Sequence, residues 1–445
     1  MSKQLSRRDF LRIGAGSMGA AALAACAMPT TVEVPAAPVR PEIVQLEYAG
    51  VHAPSGLVGE LKRELVVQFN EANPDLRLEY TWGAARTAGT LASEALMADI
   101  AAGIPPDLVD FEPASVPLWA ENEALVDLSD RMSAANLTTD LFYKAVNDQN
   151  LWKGKWYAFL YSMDGRVLYY RKDLFREAGL DPDNPPTHID EIGAAAEALT
   201  KKTGERYESI GFIPWAFQGR WVYTWGFSWG AEFMNPETLE LTVNHDQVVA
   251  LWEWMRDWRD QYGGINVITS FTEAFGAQAQ DPFIMGVVPM MINGNWMISN
   301  FRKYAPDLDY GASWIPYPRE GGQEATWTSG WSWAIPVGTD YLDDSFRALS
   351  YLAERGNIQW YNLGRSNFSP YIEHGESPEF RENPAMSFFV DTLPFAGIMP
   401  PTPMSDMAWA GLSDAFDDLM HDKVDVKEAL DALNVRLNEE LQQYL

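Results

Sequence analysis

The sequence predicts an α/β protein of two domains, each a sheet flanked by helices. Three observations predict it. From about residue 42 onward, short apolar runs alternate with helical periods, the pattern of strands joined by crossover helices. The chain has 445 residues, more than one hydrophobic core usually spans. Cys26 is the single cysteine, so no internal disulfide is available and the fold must rest on its core.

The elements follow in order. The stretch EIVQLEYAG predicts a strand, and GLVGELKRELVVQFNEANP a helix with Leu57, Leu61, Leu65 and Phe69 on one stripe. Next come strand LRLEYTW, helix TLASEALMADIAAG, and strand DLVDF after Pro105 and Pro106. LTTDLFYKAVND reads as a helix. PPTHIDEIGAAAEALTKK reads as another, with Thr187 as N-cap and Asp190 where a capping box carries Glu. SIGFIP reads as a strand. Trp215, Trp221, Trp225 and Trp229 crowd the segment behind it, and the last three, spaced by four, also fit one buried helix stripe. DQVVALWEWMRDWRDQYG predicts a helix, and VVPMMINGNWMISNF a strand, turn and helix. YGASWIPYP and TWTSGWSWAIPV read as strands, and YLDDSFRALSYLAERGNIQWYNL as one long helix. Two helices close the chain, MAWAGLSDAFDDLMHD and DVKEALDALNVRLNEELQQYL, the second opened by Asp425 and Glu428 in capping-box spacing.

The first residues read differently. Lys3, Arg7, Arg8 and Arg12 precede a small, apolar run that ends at Cys26. That run is too short and too weakly apolar for a spanning helix, and the order is that of an export signal. SRRDFLR resembles the twin-arginine export signal, and Leu23-Ala24-Ala25-Cys26 resembles the bacterial lipobox, in which the cysteine is acylated and becomes the new N-terminus. On this reading 1–25 is the signal, Cys26 the lipid anchor, and the Pro- and Ala-rich stretch 26–41 an extended tether to the outer face of a membrane.

The formal net charge is −29. Residues 1–25 contribute +3, so the chain after them carries −32. That argues against nucleic acid, and against a strongly anionic ligand unless a local basic pocket exists. No P-loop, dinucleotide fingerprint, HExxH or GxSxG occurs. His52, His188, His245, His374 and His421 are scattered, so no metal site and no cofactor is expected. The chain instead carries 18 Trp and 18 Tyr, whose flat faces and polar edges suit a small-molecule pocket. Two functions fit these features: capture of a saccharide without chemistry, or a surface glycosidase using two of the many carboxylates.

A resemblance narrows the choice. LWKGKWYAFLYSMDGRVLYYRKDLFREAGLDPDNPPTHIDEIGAAAEALT is similar to the central signature of bacterial extracellular solute-binding proteins of the maltose- and oligosaccharide-binding type, with Arg171 where Asn is usual. MMINGNWMISNF, SGWSWAIPVGTDYLDDSFRALSYLAE and DVKEALDALNVRLNEEL resemble later parts of the same family in the same order. The resemblance implies a two-lobed, type II clamp, no enzyme, feeding an ABC permease or, less directly, a sensor. Lobe I would take 42–163 and about 333–390, and lobe II 165–331 and about 391–445. Crossovers would lie near Ser162–Arg166 and Ser329–Trp333. Asp164 falls at the family's hinge carboxylate, and Trp296 and Trp409 at its sugar-stacking positions. Phe111 and Glu112 would line lobe I, and Trp215 and Gln218 lobe II. The cleft would also take in Trp82, Arg166, Trp229, Asn295, Gly330, Trp331, Arg365 and Asn367. NLGRSNFSPY, which holds the last two, departs from the family's Gly-x-x-Pro. The implied partners are a saccharide, a permease and a membrane, with the protein a monomer.

Overall fold

The computed structural model describes residues 40–83, 93–216 and 221–445. The leader, Cys26, most of the tether and Gln218 lie outside them. Two main sheets organise the chain. The first runs Leu76–Trp82, Val44–Gly50, Leu108–Phe111, Ser329–Ala334, Phe159–Asp164. Its first three strands are parallel, joined by helices Leu57–Ala72 and Ser93–Ala102, and Ser329–Ala334 enters antiparallel between Leu108–Phe111 and Phe159–Asp164. The second sheet is antiparallel and has Arg166–Arg171 at its centre, between Met290–Gly294 and Tyr310–Ser313.

Only Gly165 separates the last strand of one sheet from the central strand of the other. A second crossing runs through Thr326–Trp327 into Ser329–Ala334, and a third through Ala396–Gly397, paired parallel with Thr326–Trp327. Two threonines pin the crossings together. Thr326 Oγ1 accepts from Arg166 N–H (3.0 Å) and donates to Arg166 O (2.6 Å). Thr328 Oγ1 donates to Asp164 O (2.7 Å), and Thr328 N–H to Gly397 O (2.9 Å).

The cores follow this division, with one exception. Leu168, Ile192, Ile210, Trp252 and Met290 pack in the second lobe, and Val44, Leu65, Phe69, Leu108 and Leu160 in the first. The first core continues beneath the hinge through Tyr169, Phe301 and Phe389, with the Tyr169 and Phe389 rings 5.8 Å apart. Helix Pro384–Thr392 therefore packs on the second sheet as well as on the first lobe.

Several elements differ from the sequence reading. The predicted long helix is two, Leu342–Leu352 and Arg355–Arg365. Glu354 leaves the helical conformation as cap of the second, and Asn357 Nδ2 donates at 2.7 Å to the Tyr351 carbonyl, which also accepts from Glu354 N–H (3.1 Å). Helix Ile189–Leu199 is capped one residue later than expected, at His188, and Glu191 rather than Asp190 closes the box by accepting from His188 N–H and Thr187 N–H. Asp425 does cap Val426–Leu441, accepting from Lys427 and Glu428. In helix Leu57–Ala72 the buried stripe is Lys62, Leu65, Val66 and Phe69, while Leu57 and Leu61 are half-buried. SIGFIP forms a strand only as far as Ser209, and then continues beside the second sheet through Ile210 N–H to Val287 O and Met290 N–H to Gly211 O.

Candidate functional site: the hinge edge of the first sheet

Four strands of the first sheet end at one edge, and Ser329–Ala334 starts there. Crevices outside the carboxyl ends of strands are where open α/β sheets bind ligands. That edge carries Trp82, Phe111, Glu112, Asp164, Gly330 and Trp331, and the hinge crosses beside it. Trp82 is 58% exposed, at the end of the outer strand.

At the hinge the Arg166 guanidinium donates to Asp164 Oδ1 at 2.7 Å. It also lies 4.5 Å from the ring centroids of both Trp296 and Trp327, so two indoles flank one cation. Trp296 sits so tightly on Gly294 that a Cβ there would fall 2.0 Å from the ring. Asp164 and Trp296, expected to meet a ligand directly, are thus already engaged: the acid by Arg166, the ring by Arg166 and Gly294.

Asn295 is a fastener. Its Oδ1 accepts from Gly165 N–H (3.0 Å) and its Nδ2 donates to Ser366 O (2.9 Å). Gly330 has no room for a side chain, because a Cβ would lie 1.8 Å from Ser162 O. Trp331 is half-buried and meets His52 edge-on at 5.7 Å. Arg365 donates to Tyr361 Oη (3.0 Å) and Asn367 Nδ2 to Ser162 Oγ (3.0 Å).

Several of the unpartnered buried polar atoms of the described residues lie around this edge, and others lie in the second lobe. Arg166 Nε, Arg365 Nε, Asn362 Oδ1, Asn367 Oδ1, Ser329 Oγ and His52 Nδ1 are all buried without a hydrogen-bond partner. Native proteins leave few such atoms, and each costs free energy unless a ligand or water satisfies it. A polyhydroxylated ligand offers both donors and acceptors.

Of the other expected residues, Trp215 and Trp229 lie away from this edge. The Phe111 side chain is core, edge-on to Trp119 at 5.4 Å. Trp229 is core against Trp254, and Trp221 and Trp225 are buried beside it. Trp215 shares a cavity of about 610 Å³ with Trp221, Phe416 and His421. Helix Ser405–Met420 starts near the first lobe, where Ser115 Oγ donates to Asp406 Oδ2 (2.6 Å). Ser413, Phe416 and His421 stand on its later turns and beyond, roughly 10–20 Å along from that contact at 1.5 Å per residue. Trp215 is therefore set back from the contact between lobes. Trp409 is half-buried one turn past Asp406, its ring 6.3 Å from Tyr223. Glu112 is half-buried at the start of the turn Pro113–Ser115.

Beneath the edge lies a network that periodicity did not reveal. Lys62, 2% exposed, pairs with the fully buried Asp110 and donates to Tyr48 Oη and Tyr161 Oη, both at 2.8 Å. Asp110 also accepts from Tyr48 (2.6 Å), Tyr161 (2.9 Å) and Val51 N–H (2.9 Å). Burial pushes the Asp110 pKa up, but the Lys62 ammonium outweighs it and holds the acid well below the usual carboxylate range. Burial pulls Lys62 down to about 8, so it stays charged at neutral pH. Burial also lowers His52 to about 4, so that imidazole is neutral.

The sequence profile of the family described as bacterial extracellular solute-binding proteins matches residues 64–387. The chain belongs to that family. Several solute-binding proteins share its architecture. CpMnBP1, solved with mannobiose bound, is 26% identical with a TM-score of 0.80, over 88% of this chain and 99% of that one. The GacH receptor of Streptomyces glaucescens is 18% identical with a TM-score of 0.75, over 91% of this chain and all of that one, a likeness in fold. The maltotriose-binding protein of Pyrococcus abyssi is 20% identical over 336 residues, 74% of this chain and 68% of that one. Three Brucella binding proteins are 26% identical over 258 residues, so the chain spans 57% of the length of these curated relatives and 56% of its own. Among the described residues no group of His, Cys, Asp and Glu could hold a metal, and no helix is long and apolar enough to cross a membrane.

Proposed function

We propose that this solute-binding protein captures a saccharide between its lobes and delivers it to an ABC permease. One observation carries the reading: buried, unpartnered polar atoms converge where three crossings join two sheets. Mannobiose in CpMnBP1 and the maltotriose-binding name of the Pyrococcus relative support a sugar as ligand. No bond needs to break. The lobes close about the hinge because the ligand binds the closed form more tightly, and the permease reads that form.

In this reading lobe I comprises 42–163 and about 333–390, and lobe II 165–331 and about 391–445, with helix Pro384–Thr392 bridging both. Cys26 anchors a monomer to the outer face of the membrane. Arg166 holds Trp296 and Asp164 in place, and Trp331, Asn367, Glu112, Trp82 and Trp409 supply the ligand's contacts.

The experiment is a thermal-shift screen of pure protein against mannobiose, mannotriose, maltotriose and their monosaccharides, followed by calorimetry of each hit. A ligand at 100 times its dissociation constant adds about 2.7 kcal/mol of stability. If no saccharide raises the melting temperature and none gives heat, the reading fails.

A further inference from the structure

Arg365 stands apart from the other buried cations. Lys62 is paired with Asp110, and Arg166 with Asp164. Arg365 is 6% exposed, yet no carboxylate of the described residues lies within ion-pairing distance of it. Its one hydrogen bond goes to a neutral hydroxyl, Tyr361 Oη, and its Nε has no partner. The nearby His52 is neutral. The two pairs cancel within themselves, and Asp164 acts on Arg365 through space without an ion-pair contact.

A buried charge without a counter-ion is costly and is rarely kept without a use. The bland explanation is the helix dipole, since Arg365 ends helix Arg355–Arg365, where a cation is favoured. That field amounts to about half a charge and is strongest on the axis, so it eases the cost without neutralising the group. It also gives no acceptor to Nε. Beside Arg365, Asn362 Oδ1 and Asn367 Oδ1 also lack partners, and Asn367 is held to the hinge strand through Ser162. A guanidinium without an ion pair suits an anion, and the free Oδ1 atoms of Asn362 and Asn367, near it in sequence, suit hydroxyl donors.

We propose that the captured ligand bears an anionic group, a carboxylate or a phosphate monoester on a saccharide, and that Arg365 is the residue that recognises it. This rests on the capture reading above. It is a local exception to the overall charge: a chain of net charge −29 repels an anion at long range, so binding should speed up as added salt screens that field.

The test is calorimetric titration of the full mature protein at pH 7 with paired probes. Digalacturonate is set against mannobiose, glucuronate against glucose, and glucose 6-phosphate against glucose. At least one anionic probe should bind tenfold or more tightly than its neutral counterpart. Carboxylate-only or phosphate-only binding tells which group the site takes, and either supports the proposal. Arg365→Gln should erase the preference without lowering the melting temperature of the ligand-free protein, and Arg365→Lys should keep part of it. If Arg365→Gln does not fold, the wild-type comparison of charged and neutral probes still decides. Neutral sugars binding as tightly as their anionic partners would overturn the inference and leave saccharide capture standing. A preference that survives in Arg365→Gln would overturn the role of Arg365. Binding by none of the probes would overturn the capture reading, and the inference with it.

Discussion

Replacing Lys62 with Met tests whether the network under the hinge edge holds the first lobe together. The variant keeps the shape of the stem and deletes the ammonium. Asp110 then remains at 0% exposure with three donors, Tyr48, Tyr161 and Val51 N–H, but no counter-ion. Removing one partner of a buried pair typically costs about 3–5 kcal/mol. Three surviving donors place the expected cost near the lower end, about 3 kcal/mol. Unfolding entropy of roughly 2.1 cal/mol/K per residue over about 400 folded residues is roughly 0.8 kcal/mol/K, so the melting temperature should fall by about 4 °C. A second variant, Lys62→Met with Asp110→Leu, removes both charges and should recover at least half of that loss, because a pair costs less to delete than to orphan. The pH profile gives a third readout. Asp110 is held low when folded, so its stabilising share is present above its ordinary pKa of about 4 and fades as pH falls below that. Without Lys62 that acid-side loss should shrink. The assay is calorimetric melting at pH 7 and again from pH 5 to 3. A Lys62→Met protein that melts within 1 °C of wild type at pH 7 would refute the argument.

Two further outcomes follow from single residues. Gly330→Ala places a Cβ 1.8 Å from the Ser162 carbonyl, a backbone atom of the neighbouring strand, and should cost about 1–3 kcal/mol; an unchanged denaturation midpoint would mean the strands separate freely there. Cys26→Ser should move the protein from the membrane to the soluble fraction, and an undiminished membrane pool on fractionation would rule out the lipid anchor.

Much of the fold was legible because each element carried its own local signal. The Asp425 cap and the apolar runs of Val44–Gly50 and Met290–Gly294 needed no tertiary information. Misses came where a neighbour distant in sequence decided. Lys62 reads as a solvated helix position until Asp110, 48 residues on, is brought beneath it. The break before Arg355 has only Gly356, just inside the second helix, as a local signal. The Trp-rich segment looked like a binding wall, yet Trp221, Trp225 and Trp229 fill the second core, as their four-residue spacing allowed. Positions in the site were easier to read than roles. Asp164, Arg166, Asn295, Trp296, Gly330 and Trp331 do gather at the hinge. That Asn295 fastens the crossing and Arg166 occupies the face of Trp296 depends on contacts no spacing encodes.

The place of Ser329–Ala334 in the first sheet has a consequence for how the protein is made. The strand lies between Leu108–Phe111 and Phe159–Asp164, which are synthesised at least 165 residues earlier. At roughly 5–20 residues per second, these two wait roughly ten to forty seconds for the strand that joins them. Until then the nascent lobe exposes two unpaired strand edges, the surfaces most prone to pairing with another chain. The order of synthesis thus leaves a long interval in which a chaperone, or an export factor holding the chain open, has the most to protect.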